Sequence, residues 1–276
     1  MNKILVPYDF SKPAKNAFNF AAEIASKTGG EVVIIHVIYT SPMYETIYLR
    51  GHDGNLNFIQ EMQESIQKDL LSNSKLQTKP NISTKIISTN GSIVAAILEK
   101  IAELGIDLVV MGTSGNEGLD GFLFGSITKK IIRKSNVPVL ALENEAKVSE
   151  IKHILLPSNL ELGQENFIQK VKALQAFFDA HIHLLLINTP MHFQPEAEGK
   201  MELDNFVKHH RLQNCQPYFT NHWTEEKGII AFQSSHKIDL IAMSTHVRKG
   251  LSHAFYGSIT EDTLQHSKCP IWTFRI

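Results

Sequence analysis

Gly112 and Gly115 follow the apolar run Val109-Val110-Met111 with two residues between them, and nine residues further on Gly125-Ser126 opens a segment of helical apolar spacing. Glycines in the first two positions would let main-chain N–H groups approach a polyphosphate where any Cβ would intrude. Gly125-Ser126 would set N–H groups and a hydroxyl at a helix start, where the dipole favours an anion. Asp9, just after the apolar run Ile4-Leu5-Val6, has the chemistry to accept hydrogen bonds from ribose hydroxyls. The same residue types also have a plain structural use, glycine in a strand-to-helix turn and serine as a cap. No Gly-x4-Gly-Lys is present, which disfavours a P-loop nucleotidase. Glu117 and Asp120 lie within the nine-residue stretch, where carboxylates are more often solvated or metal-steering than catalytic, so no catalytic residue is assigned.

The elements that must position these residues alternate. Residues 3–8 are a short apolar strand, and Ala14, Ala17, Phe18, Ala21 and Ala25 mark a helix over 11–28, with Ser11 as its cap and Gly29-Gly30 as its stop. A strand over 31–38, a helix carrying Ile59, Met62, Ile66 and Leu70, and a strand over 83–88 come next. A helix over 93–104, a strand over 107–111, a short helix over 126–135 and a strand over 137–142 complete the set. Such alternation implies βαβ units with right-handed crossovers, and continuously apolar strands imply a parallel sheet covered on both faces. If the first strand is central with the fourth beside it, Asp9 and the glycine loop meet where strand order reverses, outside the carboxyl ends of the strands.

The charged segment from Glu143 to Glu150 has no apolar period and reads as a linker, after which the pattern restarts. Ile154-Leu155-Leu156-Pro157-Ser158-Asn159 repeats Ile4-Leu5-Val6-Pro7-Tyr8-Asp9, Asp239 to Met243 repeats Asp107 to Met111, and Cys269-Pro270-Ile271-Trp272 stands where Val137-Pro138-Val139-Leu140 stood. The offset falls from 150 residues in the first match to 132 in the second. The second copy has therefore lost residues between its second and fourth strands, from the loop and second helix. A chain of 276 residues suits two domains.

Composition narrows the partners. The 27 basic and 28 acidic residues nearly cancel, so no field of one sign would attract nucleic acid. The two cysteines, Cys215 and Cys269, have no Cys-x-x-Cys spacing, which argues against a disulfide framework or a cysteine zinc site. No basic-then-apolar leader is seen and no apolar run reaches the ~18 residues of a membrane span. A cytoplasmic protein with no membrane partner is expected.

Gly-x2-Gly-x9-Gly-Ser after Val-Val-Met resembles the ATP-binding signature of the universal stress protein family. The likeness extends to Pro7-x-Asp9, to His36-Val37 at the end of the second strand, to Gly91 before the third helix and to Val-Pro-Val in the fifth strand. It spans 1–142 and returns in weaker form through 151–276. The resemblance implies an α/β fold of two tandem Rossmann-like, adenine nucleotide alpha hydrolase-like domains, 1–143 and 151–276, each an open five-stranded parallel sheet with helices on both faces. It implies ATP, with or without Mg2+, held by Asp9 on the ribose or adenine side and by the Val37 main chain at adenine. Met111, Gly112, Gly115, Gly125, Ser126 and Ile127 would form the phosphate loop. It further implies pairing of the two domains through their fifth strands, 137–142 and 270–274, in an intrachain pseudo-dimer that can dimerise again. The expected role is that of an ATP-binding stress-response regulator or scaffold. A slow ATP-hydrolysing enzyme and a nucleotide-free interaction scaffold are the competing readings.

The second copy departs from this signature. It reads Met243-Ser244-Thr-His-Val247 and then, nine residues later, Gly257-Ser258, so the helix start survives and the leading glycines do not. Val247 brings a branched side chain to a point of close approach, and Asn159 replaces the carboxylate of Asp9. His246, Arg248, Lys249 and His253 would supply positive charge to a phosphate, or form a solvated loop, which is the reading preferred here. Eleven of the 13 histidines follow residue 150. His181 and His183 share a strand face as ligands would, and His209-His210 would diverge, but no third ligand is set by spacing, so no metal site is assigned. Cys215 and Cys269 read as small buried apolar residues.

Overall fold

In the computed structural model, residues 1–39, 81–89, 92–113, 125–245, 259–260 and 266–276 are described, with single residues at 61, 64, 65, 68 and 263. The helical stripe at 59–70, Gly91, the loop residues Gly115, Glu117 and Asp120, and His246 to Ser258 lie outside them, except for the single residues just given. The described chain forms two compact units, Met1–Glu145 and Ala146–Ile276.

In the first unit the order is β1 (Lys3–Pro7), α1 (Lys12–Thr28), β2 (Glu31–Tyr39), β3 (Asn81–Thr89), α2 (Ile93–Glu103), β4 (Leu108–Gly112), α3 (Ser126–Lys134) and β5 (Val139–Leu142). All four pairings are parallel, β3 with β2, β2 with β1, β1 with β4 and β4 with β5. The sheet therefore reverses direction of growth between β1 and β4, the crevice where ligands bind in open α/β sheets. Ile4, Leu5, Val6, Val109 and Val110 are fully buried, as strands covered on both faces must be.

Helix α1 forms where its apolar spacing is matched by good ends. The Ser11 hydroxyl accepts the Ala14 N–H at 3.2 Å, Pro13 sits in the first turn where its missing donor costs nothing, and Gly29 ends the helix at φ +68°. Its buried face, with Phe18, Phe20 and Ile24, packs on β1 and β4. Each of these three side chains contributes roughly 1.5–3 kcal/mol by leaving water. That packing sets the N-terminus of α1 beside the carboxyl end of β4.

The second unit repeats the plan with β6 (His153–Pro157), α4 (Glu165–Phe178), β7 (His181–Asn188), α5 (Glu196–His210), β8 (Cys215–Asn221), α6 (Glu225–Ser235), β9 (Leu240–Thr245) and β10 (Ile271–Arg275). Its parallel pairings run β8, β7, β6, β9, β10. The repeat extends to hydrogen bonds. Asp107 accepts the N–H groups of Asn2 and Lys3 on one carboxylate oxygen, and Asp239 does the same for Lys152 and His153. The offset is 150 residues at β7 (Glu31 against His181), 134 at β8 (Asn81 against Cys215) and 132 at β9 (Leu108 against Leu240). The shortening thus falls mainly between β7 and β8, and that connection still carries the 15-residue helix α5. The shortening therefore lies in the connection that holds the loop and the second helix, and a helix of that unit, α5, is still formed there. At the start of the second unit, Val148–Glu150 makes one 3-10 turn with Val148 buried, so the charged segment is anchored by its one large apolar residue.

Candidate functional site

At the carboxyl end of β1 the chain turns sharply. Tyr8 N–H donates to the Ile35 carbonyl at 2.8 Å, Phe10 takes φ +66°, and the exposed Asp9 carboxylate accepts the Ser11 N–H at 3.0 Å. His36 Nδ1 donates to the Tyr8 carbonyl at 2.7 Å, tying the turn to β2. Because Ile35 offers its carbonyl toward β1, Val37, two residues on, presents its main-chain groups to the same side, where β1 has already ended. Asp9 and the Val37 backbone thus border one crevice.

Gly112 closes β4 on the far side of that crevice. A Cβ there would lie 2.8 Å from the carbonyl carbon and Cβ of Pro13 and 3.0 Å from the Ala14 nitrogen. The glycine is thus required by the approach of α1, a packing reason that stands beside the phosphate reason given by its spacing. The Gly112 carbonyl accepts the buried Thr128 hydroxyl at 2.9 Å, and Gly125 N–H donates to the Thr113 carbonyl at 2.6 Å. The second bond corrects one expectation: the Gly125 N–H is engaged in closing the loop and is not free for an anion. The donors that remain are those of the first turn of α3, from exposed Ser126 and half-buried Ile127, with no capping side chain at Gly125. Thr113 and Thr128, which hold the loop base closed, escaped the sequence reading because hydroxyl pairing across a loop has no spacing signature.

A ligand with anionic groups at one end and hydroxyls at the other suits this donor set: helix-start N–H groups at one place, a carboxylate and strand backbone at another. Asp9, Val37, Met111, Gly112, Gly125, Ser126 and Ile127 all lie at the carboxyl end of the sheet or at the α3 start. Gly115 falls outside the described residues.

In the second unit the same place holds a cavity of about 360 Å³. Asn159, Ile187, Met243, Ser244, Ile259 and Thr260 line it, at the positions that Asp9, Val37, Met111, Gly112, Ile127 and Thr128 occupy in the first. The turn after β6 is also copied, with Ser158 N–H bonded to the Leu185 carbonyl and Leu160 at φ +59°. Its chemistry differs. Asn159 Oδ1 accepts from Gln164 Nε2 at 3.2 Å and from the Glu161 N–H at 3.4 Å, and Glu161, Glu202 and Glu225 line the space.

The histidines gather at the opposite, amino end of this sheet. His153 Nδ1 and His183 Nε2 share a hydrogen bond of 3.1 Å, His181 Nδ1 donates to Asn214 Oδ1 at 2.8 Å, and His183 stacks on Tyr218. His181 and His183 do share a face, with ring centroids 4.8 Å apart. Burial first, and then the neighbouring imidazoles of His181, His153 and His236, hold His183 down at about 4, against a smaller upward pull from Asp239. Among the described residues no group of three or more His, Cys, Asp or Glu is arranged to hold a metal ion. His209 and His210 do not diverge fully; their rings are 4.7 Å apart, and His210 is buried against Phe206. Cys215 and Cys269 are free and half-buried, with thiols pushed up by burial to about 11, and Cys269 Sγ lies 3.0 Å from Gln233 Nε2.

The profile of the universal stress protein family matches residues 1–143 and again 223–275. The chain belongs to that family. Two matched regions make it a tandem universal stress protein. Universal stress protein YxiE of Bacillus subtilis is 30% identical over 148 residues, 50% of this chain and 97% of its own length. Universal stress protein MJ0577 of Methanocaldococcus jannaschii is 30% identical over 155 residues, 52% of this chain and 95% of its own. A solved universal stress protein structure from Archaeoglobus fulgidus superposes with a TM-score of 0.71 at 16% identity, covering 99% of this chain and 98% of that one. A second, from Pseudomonas aeruginosa, gives 0.69 at 16% identity and covers 100% and 93%. At such identity the two structures speak for the fold, an α/β universal stress protein fold along the whole chain. No described helix is long and apolar enough to cross a membrane.

Proposed function

We propose that the first unit of this universal stress protein binds ATP or a related adenine nucleotide and that the protein acts as a stress-response regulator or scaffold. The observation that carries the reading is the first turn of α3, whose Ser126 and Ile127 main-chain donors have no capping side chain, set with Asp9 and the Val37 backbone at the carboxyl end of a sheet whose order reverses between β1 and β4. Asp9 takes the ribose hydroxyls, the Val37 backbone takes the adenine edge, and Gly112, Gly115, Ser126 and Ile127 lie along the phosphates, with Met111 and Gly125 shaping the loop. Mg2+, where present, would sit on the phosphates rather than on a protein cage. The two domains in this reading are 1–143 and 151–276, paired within the chain through β5 and β10 in the cytoplasm, with further dimerisation open to the pair.

The test is a titration of the purified chain with ATP, read by calorimetry, beside the nucleotide content of the denatured protein on an anion-exchange column. Ser126→Asp is the decisive variant. An acidic residue in the first turn of α3 favours the helix dipole, so folding is kept, while it repels phosphate at the site. ATP binding by the parent chain, weakened at least about tenfold in Ser126→Asp at unchanged melting temperature, is expected. Equal binding by parent and variant would remove the site assignment. No nucleotide in the eluate and no heat with ATP would leave the scaffold reading alone.

A further inference from the structure

At the amino end of the second unit's sheet, strand register gathers imidazoles from different elements. β6 pairs with β7 so that His153 lies opposite His181 and Leu155 opposite His183, which puts all three histidines on one face. The last turn of α6 covers that face. Phe232 meets the His183 ring at 6.1 Å and the Tyr218 ring at 4.8 Å, and His236, at the C-terminal cap of α6, stacks on Phe232 at 3.8 Å and lies 5.4 Å from Tyr218. At the three strand positions the first unit carries Lys3, Glu31 and Val33, so the cluster is a property of the second copy and not a requirement of the fold.

His183 is its centre, 8% exposed, with Nδ1 buried and without a hydrogen-bond partner. Its Nε2 shares the 3.1 Å bond with His153 Nδ1, which needs a proton on one nitrogen and a lone pair on the other. One added proton is tolerated, since a charged ring still donates to a neutral one. With both rings charged, each facing nitrogen carries a proton and the bond turns into a repulsion. The groups that act on His183 are His181 from β7, His153 from β6, His236 from the end of α6 and Asp239 from the start of β9. Tyr218 of β8 stacks on its ring. Asp239 pulls against the imidazoles, but its carboxylate is bonded to the Lys152 and His153 N–H groups. Lys152 is drawn to the Phe178 carbonyl and Asp179, and Lys237 is exposed. Burial and the neighbouring imidazoles hold His183 down at about 4. Lifting α6 away returns the ring to water and its ordinary 6.5, so the lifted form binds a proton first and is favoured progressively as pH falls from about 6.5 toward 4.

We propose that this cluster is a proton-operated clasp: it holds the last turn of α6 on β7 and β8 at neutral pH, and acid releases α6 while the rest of the second unit stays folded. The same helix gives Glu225 and Ile229 to the wall of the carboxyl-end cavity, so release of α6 also opens that cavity. The clasp does not depend on nucleotide binding by the first unit.

Hydrogen exchange of the full chain at pH 7 and pH 5, followed by mass spectrometry and corrected for the intrinsic rate at each pH, tests it. Protection over α6 should fall about tenfold at the lower pH. At pH 5 it should depend only weakly on added urea while that of α4 depends steeply, the marks of local and of global opening. His183→Phe keeps a ring against Tyr218 and Phe232, and His183→Val installs the residue that the first unit has at this position. Either variant should reduce the change in α6 to less than about threefold, with the melting temperature at pH 7 reporting that it is folded. Equal protection and equal urea dependence of α4 and α6 at pH 5 overturn the proposal, because the unit then opens only as a whole. Protection of α6 that is the same at both pH values, or a tenfold fall that persists in a folded variant, overturns it as well.

Discussion

The two units share a turn, a carboxylate clamp and a strand order, yet they differ at both ends of the sheet. At the carboxyl end the first unit sets exposed Asp9 opposite Gly112, while the second sets Asn159, bonded to Gln164, opposite Ser244. At the amino end Lys3 and Glu31 form an ion pair of 3.7 Å on neighbouring strands, and the equivalent positions in the second unit are His153 and His181, with His183 in place of Val33. A duplicated backbone keeps its hydrogen-bond frame because every copy needs it. Side chains at the strand ends lie outside that frame, and there the copies have diverged.

The largest effect that would break this contrast comes from Gly112. Gly112→Ala forces a Cβ against the Pro13 backbone and should destabilise the first unit by about 1–3 kcal/mol, whereas Ser244→Ala should change stability little. Denaturant unfolding of both variants checks it, and equal losses would show that the close approach of α1 is not peculiar to the first unit. Next comes Asp9→Asn, which makes the first crevice resemble the second while keeping an acceptor for the Ser11 N–H. ATP affinity should fall about tenfold with no change in fold; Asn159→Ala should leave ATP affinity where it was. If both variants behave alike by calorimetry, the charge difference between the copies has no bearing on nucleotide.

The amino-end contrast is sharpened by pH. His183 is held neutral in the folded chain, with its pKa at about 4 against an ordinary 6.5, so the unfolded chain binds a proton first as pH falls. Stability from this group is complete above about pH 6.5 and is lost progressively as pH drops toward about 4. The melting temperature of the second unit should fall by about 2–4 °C between pH 6.5 and 5, and His183→Phe should flatten that dependence. A parallel slope in the variant would assign the loss to other groups. The smallest effect belongs to the first unit's ion pair. Lys3→Gln should cost less than about 1 kcal/mol, since both side chains are partly exposed and screened. A loss of several kcal/mol in thermal unfolding would mean that the pair is structural.

Much of this molecule was legible in its sequence. Strand and helix positions follow from apolar spacing, because burial on two faces of a sheet or one face of a helix demands it. Helix α1 is framed by Ser11 and Gly29, whose local chemistry needs no distant partner. The tandem plan follows from Ile154 to Asn159 repeating Ile4 to Asp9, since a second copy of the core strand starts a second run of βαβ units. Spacing also marked Gly112, Gly125 and Ser126 as candidates, because a strand-to-helix connection is local in the chain.

Long-range contacts decided the rest. That a Cβ at Gly112 would strike Pro13 depends on α1 packing on β4 from far away in sequence, and that the Gly125 N–H is spent on Thr113 depends on where the start of α3 meets the end of β4. The approach of His153 to His183 depends on the register of β6 against β7, which places residues 30 apart in one plane. The second unit's cavity was hidden for the same reason. Residue substitutions at Asn159 and Ser244 are visible in the sequence, but whether they fill a crevice or only reline it is settled by how α4, α5 and α6 stand around β6, β7 and β9, and here a space is left.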